Sequence, residues 1–369
     1  MRHNSPRDSS RGTQGYQARG ACPRCGATRT DGQIGLEPTL AGYIAEMVAV
    51  FAEVRRVLRE DGTAFLNLGD SFARDPGKGT TGTPNGRNLA VMGYAGGALP
   101  FGLKSKDLCM VPHRVAIALQ EDGWWVRQDN VWSKRSCMPE SVTDRTTRSH
   151  EYVFQLTKSA SYFYDSDAIA EEGAIPAGTR AAKGSNVRSD LKDVNGRPPE
   201  YWEYTGRRNK RSVWTLGPEP FAEAHFAVMP ATLAEICIKA GSSERGCCPA
   251  CGAPWGRVVE KGALMPPASR PDAIQCQGSG ESTQAQKGAA KACFSREKTV
   301  TGWRPTCECP AADPVPCLIL DPFSGAGTTA LVADRLGRNA IGIELNPKYV
   351  ALSEARLRRD AGMFAEVTA

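Results

Sequence analysis

The residues Cys317-Leu318-Ile319-Leu320-Asp321-Pro322-Phe323-Ser324-Gly325-Ala326-Gly327-Thr328-Thr329 constrain the fold more than any other stretch of this chain. Cys317 to Leu320 are apolar without alternation, the pattern of a strand buried on both faces of a parallel sheet. Asp321 and Pro322 end it, and Gly325 and Gly327 bracket a tight turn where a side chain would keep a ligand from the backbone. From Thr328 the run reads as a helix with Leu331, Ala333 and Leu336 inward, closed by Gly337. A second strand, Asn339 to Ile343, delivers Glu344 at its tip. Strand, glycine turn, helix, strand, acid is a nucleotide-binding half-unit, with the acid placed to accept hydrogen bonds from a ribose diol. The turn lacks the third glycine of the dinucleotide fingerprint and the Gly-Lys-Ser/Thr of a phosphate loop.

With 369 residues there is room for one large α/β domain with insertions or for two modest ones. A formal net charge of +6 suits a polyanionic partner without requiring one. No run has the length of a membrane span, and the polar, Arg-rich N-terminus has no apolar core for a signal peptide. A soluble, cytoplasmic protein is expected. In such a chain thirteen cysteines point to metal sites and reduced thiols, not to a disulfide framework.

Residues 1–32 have almost nothing to bury and are expected to be a disordered, Arg-rich arm carrying an orphan Cys22-x-x-Cys25 pair. From Tyr43 to Leu58, apolar residues recur at helical spacing, and Asp61-Gly62 stops the helix. Thr63 to Gly69 follows as a buried strand, whose polar turn Gly69-Asp70-Ser71 is expected to face a ligand cleft. Residues 74–102 are Gly-rich and read as a loop. Pro112 to Gln120 is the next helix, followed by two aromatic-rich strands, Trp124 to Lys134 and Glu151 to Lys158. His150 stands at the start of the latter strand and is readable either as a general base or as a structural residue.

Residues 165–212 lose periodicity and gain charge. Tyr201-Trp202-Glu203-Tyr204 and Arg207-Arg208-Asn209-Lys210-Arg211 interleave rings and cations, which suits phosphate neutralisation with base stacking and equally describes a solvated loop. Residues 213–243 contain a helix over Ala231 to Ala240. An insertion over 244–316 opens with Cys248-Pro249-Ala250-Cys251-Gly252 and nears its end with Cys307-Glu308-Cys309. Four thiolates in this form are enough to close a tetrahedral structural zinc site, with Cys247, Cys276 and Cys293 as lesser candidates. The Gly-, Pro- and Ser-rich residues between the two pairs need no fold of their own. The final helix, Pro347 to Arg359, is expected to turn Val350, Leu352, Ala355 and Leu357 inward.

Asp321-Pro322-Phe323-x-Gly325-x-Gly327-Thr328 resembles the S-adenosylmethionine loop of the amino-methyltransferases that modify DNA at cytosine N4 or adenine N6. Gln33-Ile34-Gly35-Leu36-Glu37, Asn67-Leu68-Gly69-Asp70-Ser71 and Asn209-Lys210-Arg211-Ser212-Val213-Trp214 resemble phage and actinobacterial members, and the segment order resembles the permuted branch of that family. The resemblance implies an α/β protein with a circularly permuted, class I methyltransferase, Rossmann-like sheet, into which the cysteine spacing adds a zinc-ribbon-like insertion that the resemblance does not cover. In this arrangement 33–164 is the catalytic half, 165–212 the target-recognition segment and 317–369 the cofactor-binding half. It implies S-adenosyl-L-methionine as cofactor, with Asp321, Phe323, Gly325, Gly327 and Thr328 around the methionine and Glu344 on the ribose. His225 and Phe226 would line the methionine end, and Arg207, Arg208, Lys210 and Arg211 would meet double-stranded DNA in a restriction–modification setting.

Members of that family carry their chemistry on a strand ending in Ser/Asp-Pro-Pro-Tyr, which holds the amino group of a flipped base. That motif does not occur here: Pro198-Pro199 and Pro266-Pro267 are followed by Glu200 and Ala268, and Asn4-Ser5-Pro6-Arg7 has one proline. The resemblance places the motif upstream of Gln33. The expectation is therefore a chain that begins after it and lacks two strands of the sheet, with no catalytic residue assignable. The strands at 63–69 and 317–320 should then be separated by a gap or paired directly.

Overall fold

A computed structural model describes residues 33–73, 102–173, 180–182, 201–203, 206–261 and 298–361, apart from 36, 38, 138, 218 and 220–228. The arm at 1–32 and the loop at 74–101 lie outside the described residues. Backbone contacts divide the chain into two units, Met1–Tyr162 with Val213–Gly217, and Phe163–Ser212 with Pro218–Ala369.

The first unit opens with α1 (Leu40–Val57), where the Thr39 hydroxyl accepts the Gly42 N–H and so caps the helix. Leu40, Met47 and Phe51 fall on one stripe and are buried, and Arg55 and Arg56 sit at the C-terminal end, where cations suit the helix dipole. β1 (Thr63–Leu68), β2 (Trp125–Lys134), β3 (His150–Thr157) and β8 (Val213–Leu216) form a sheet in the order β1-β3-β2-β8. β3 runs antiparallel to both neighbours, whereas β8 joins β2 in parallel. With a strand on each side, β3 buries every residue from Val153 to Thr157. The core joins Leu66, Phe154, Leu156 and Trp124 to α1 and to α2 (Val111–Glu121), whose Val111, Val115 and Leu119 recur at four-residue spacing.

The side chain of Asp70, in the turn after β1, is spent within the first unit. Asp70 has a side chain only 1% exposed; its Oδ1 accepts the N–H groups of Ser71 and Val111, and its Oδ2 lies 3.6 Å from the Arg148 guanidinium. The reason is geometric: α2 starts from a left-handed Met110 that offers no side-chain cap, so a carboxylate from β1 supplies the acceptor.

The second unit contains α3 (Ala231–Gly241), the parallel pair β11 (Leu318–Asp321) and β12 (Asn339–Gly342), α4 (Thr328–Arg335) between them, and α5 (Pro347–Ala361). Ala234 and Ile238 of α3 pack with Val332 and Ala333 of α4, with Ile319 and Ala340 of the strands against them. β11 was expected to be buried on both faces, yet Leu318 is 61% exposed. Among the described residues β11 pairs with β12 alone, and β1 stands at the edge of a separate sheet, so neither completes a continuous parallel sheet. α5 likewise buries no residue fully, and Ala355 is exposed.

Residues 165–212 hold short antiparallel pairs where no periodic structure was expected: β4 (Glu171–Glu172) with β7 (Arg207–Arg208), and β5 (Arg180–Ala182) with β6 (Tyr201–Glu203). The insertion is not featureless between its cysteine pairs either. β9 (Trp255–Lys261) and β10 (Lys298–Pro305) form an antiparallel hairpin with a bulge between Val300 and Gly302.

Asp70→Ala removes an acceptor from two N–H groups and leaves Arg148 without its buried partner. It should lower unfolding stability by about 3 kcal/mol, with Asp70→Asn losing less. Urea denaturation of the two variants checks this, and a loss below about 0.5 kcal/mol for Asp70→Ala would contradict it.

Candidate functional site

The second unit gathers its polar groups at the turn after β11. Asp321 Oδ1 accepts the Phe323 N–H at 2.9 Å and Oδ2 accepts the Thr329 hydroxyl at 2.6 Å, tying the end of the strand to the first turn of α4. Gly325 and Gly327 have φ of +50° and +72°, the left-handed region that glycine enters without strain. At Gly327 a Cβ would also stand 2.0 Å from Ser353 Oγ, so α5 passes directly against the turn. β12 then delivers Glu344 across the loop: its Oε2 accepts the Gly325 N–H and its Oε1 the Asn346 N–H, both at 2.8 Å.

Asp321, Phe323, Gly325, Gly327 and Glu344 are thus brought into one continuous turn. Phe323 is 46% exposed. Thr328 is only 4% exposed, and its hydroxyl accepts from Arg356 Nη1 at 2.9 Å, while the same nitrogen reaches the Ala326 carbonyl at 3.1 Å. That side chain braces α4 against α5. Burial and the nearby Arg335 charge hold the Arg356 guanidinium below its ordinary range. His225 and Phe226 lie outside the described residues. Arg356, Thr329 and Asn346 were not anticipated; only Thr329, inside the glycine-turn run, carried a local sign of its role.

The basic segment is partly neutralised from within its own unit. Arg208 Nε and Arg211 Nε share Glu171 Oε1 at 3.0 and 2.7 Å, and Arg207 Nη2 donates to the Asp167 and Ala170 carbonyls. Burial pushes the Glu171 carboxyl up, but the hydrogen bond and charge of Arg211, with the charges of Arg208 and Lys210, outweigh it and hold it below the ordinary range. In the first unit, the His150 ring stands edge-on to Tyr152 at 5.3 Å, and burial followed by the Arg148 charge lowers its pKa. It packs as a strand-end aromatic.

A third cluster lies at the cysteine hairpin. The sulfurs of Cys248, Cys251, Cys307 and Cys309 all lie within 4.8 Å of one another. Cys248 to Gly252 forms a tight turn in which the Gly252 N–H reaches the Cys248 carbonyl at 2.7 Å, with Gly252 at φ +72°. Cys247 turns the other way, its thiol 3.7 Å from the Pro316 carbonyl, and Cys276 and Cys293 lie outside the described residues.

A family model described as DNA methylase matches residues 12–248 and 317–355 of this chain. The type II methyltransferase M.SmaI of Serratia marcescens is 33% identical over 329 residues, covering 89% of this chain and 78% of that protein. M.XycI of Xanthomonas campestris pv. cyanopsidis is 34% identical over 328 residues, covering 88% and 75%. Among solved structures, a PvuII DNA methyltransferase described as cytosine-N4-specific is 14% identical, with a TM-score of 0.44 over 89% of this chain and 73% of that one. No helix among the described residues is long and apolar enough to cross a membrane.

Gly327→Ala should destabilise the second unit by about 1–3 kcal/mol, because the backbone strain adds to the clash with Ser353. Ser353→Gly in the same chain relieves only the clash and should recover part of the loss. Full recovery in a thermal or urea melt would show that the left-handed conformation costs nothing here.

Proposed function

The chain belongs to the N6/N4 family of DNA methylases, and on that premise we propose that it serves S-adenosylmethionine-dependent methylation of an exocyclic amino group in double-stranded DNA. Cytosine N4 is the proposed target and adenine N6 the alternative. The resemblance of the segments Gln33 to Glu37, Asn67 to Ser71 and Asn209 to Trp214 to the phage and actinobacterial branch supports the first.

One observation carries the cofactor assignment: the tip of β12 brings a carboxylate onto a left-handed glycine turn that closes the C-terminal end of β11. Open α/β sheets bind nucleotides beyond strand C-termini at such turns. In this reading the Glu344 carboxylate holds the turn in shape and exchanges part of its backbone hydrogen bonding for the ribose hydroxyls. Phe323, exposed beside it, offers a ring for the cofactor to pack on. The order of units, with the cofactor half at the C-terminal end, supports a circularly permuted class I arrangement. Arg208, Lys210 and Arg211 supply positive charge for DNA phosphates, with Glu171 holding the two arginines side by side until the duplex displaces it.

The transfer itself is positioning and electrostatics: the target nitrogen must be held with its lone pair directed at the sulfonium methyl. Within these 369 residues no Ser/Asp-Pro-Pro-Tyr occurs to do this. Positioning of this kind contributes up to about 7–11 kcal/mol. Cofactor binding and methyl transfer are therefore separable in the polypeptide of this sequence.

Calorimetry should show S-adenosylmethionine binding by the 369-residue protein, weakened by about 1–3 kcal/mol in Glu344→Ala if charge-assisted hydrogen bonds to the diol are lost. Binding of NAD in place of S-adenosylmethionine would overturn the cofactor assignment. In the same preparation, transfer of tritiated methyl groups to unmethylated genomic DNA should be undetectable. Clear incorporation would show that the residues present do hold the target base.

A further inference from the structure

We propose that Cys248, Cys251, Cys307 and Cys309 bind one structural zinc ion, and that through Arg257 this ion fixes the root of the basic segment. The family match leaves out residues 249–316, so neither the site nor its consequence follows from family membership. It also goes beyond the methyltransferase reading and does not depend on it.

The ladder itself brings the ligands together. Trp255 pairs with Pro305 at the open end of the β9–β10 hairpin, so Cys251, four residues before Trp255, and Cys307, two residues after Pro305, emerge at the same end. Two short hydrogen bonds hold that end: the Thr306 hydroxyl to the Pro254 carbonyl at 2.6 Å, and the Cys248 N–H to the Ala253 carbonyl at 2.8 Å. The backbone N–H groups of Ala250 and Cys251 point at Cys248 Sγ, an arrangement suited to a thiolate ligand. A zinc ion about 2.3 Å from each sulfur sets tetrahedral sulfurs about 3.8 Å apart. Four sulfurs already within 4.8 Å of one another need only small shifts to reach it. The donor set is all thiolate, with no carboxylate or imidazole among the converging groups, which selects a soft or borderline ion over magnesium or calcium.

The hairpin also needs the ion. Among the described residues β9 and β10 pair as strands only with each other, and a two-stranded ribbon is marginal in water. Its two strands are separated in sequence by residues 262–297, so their pairing is a long-range contact that local chain order does not favour. A metal at the open end holds that pairing where the two strands cannot.

What the hairpin holds is Arg257. Its cross-strand partner is Trp303, and the guanidinium carbon lies 4.5 Å from the centre of that ring. From there Nε donates to Asp165 Oδ2 at 2.8 Å and Nη2 to Glu244 Oε2 at 2.6 Å. Asp165 is nearly buried, with its N–H on the Ala240 carbonyl and its Oδ1 accepting the Ala168 N–H. It therefore starts the segment that leads to Glu171, the carboxylate that holds Arg208 and Arg211. Loss of the ion frees the open end, lets Trp303 and Arg257 separate, and leaves Asp165 as a buried carboxylate without its cation.

Metal analysis of the full chain, purified under reducing conditions without added metal, should find one zinc per chain. Cobalt exchange should give the thiolate charge-transfer and ligand-field bands of a tetrahedral sulfur site. Less than half an equivalent of zinc, bound iron in its place, or full zinc retention in Cys307→Ser/Cys309→Ser would overturn the site. Hydrogen–deuterium exchange tests the coupling without cofactor or DNA. Chelation should speed exchange at residues 165–172 while leaving α1 and β1 unchanged. Arg257→Ala should keep its zinc and show the same acceleration. Unchanged exchange at 165–172 in the chelated protein would overturn the coupling.

Discussion

The Glu344 carboxylate is the tie on which the second unit depends. Its two oxygens take one N–H from the glycine turn after β11 and one from the entry to α5, so a single side chain links the ends of both parallel strands to the last helix. Asp321 does the complementary work from β11, holding Phe323 and the first turn of α4. Backbone N–H groups in such a turn must find acceptors, and two carboxylates supply them. A turn held this way keeps its shape before a ligand arrives, which lowers the ordering cost of binding.

The helices were legible because apolar spacing and capping agree. α2, α3, α4 and α5 begin and end within a residue or two of where periodicity, Pro112, Gly241 and Gly337 put them, and α1 begins three residues before the Tyr43 that opens its apolar pattern. β2 and β3 were legible as strands from two aromatic-rich runs in succession. The surroundings of β11 were not legible: an unbroken apolar run reports what a strand could bury, not how many neighbours it has, and Leu318 is exposed beside a single partner strand. The β9–β10 hairpin was missed because its two halves are far apart in sequence, with a bulge at Thr301 that breaks alternation.

The site shows the same division. Residues that act through local geometry, Asp321, Gly325, Gly327 and Glu344, stood in one readable pattern. Those that act through distant partners did not. Thr328 reads as a cofactor contact, and nothing near it in the sequence shows that its hydroxyl also accepts from Arg356, 28 residues later. The basic run looked like open positive charge, yet Glu171, some 40 residues earlier, holds two of its arginines. Likewise the Asp70 side chain, in a turn that reads as polar and ligand-facing, joins α2 and Arg148. The four thiolates were readable as ligands from their spacing, whereas the Arg257 link to Asp165 lies across 92 residues and leaves no local trace.

The central claim is that the turn between Asp321 and Glu344 is where the cofactor lies. Ultraviolet crosslinking of radiolabelled S-adenosylmethionine, followed by peptide mapping, tests it most directly. The label should appear in peptides from 317–346, Phe323 being the exposed aromatic beside the turn, and excess S-adenosylhomocysteine should prevent it. Label found only in residues 33–162, or unaffected by that competitor, would contradict the account.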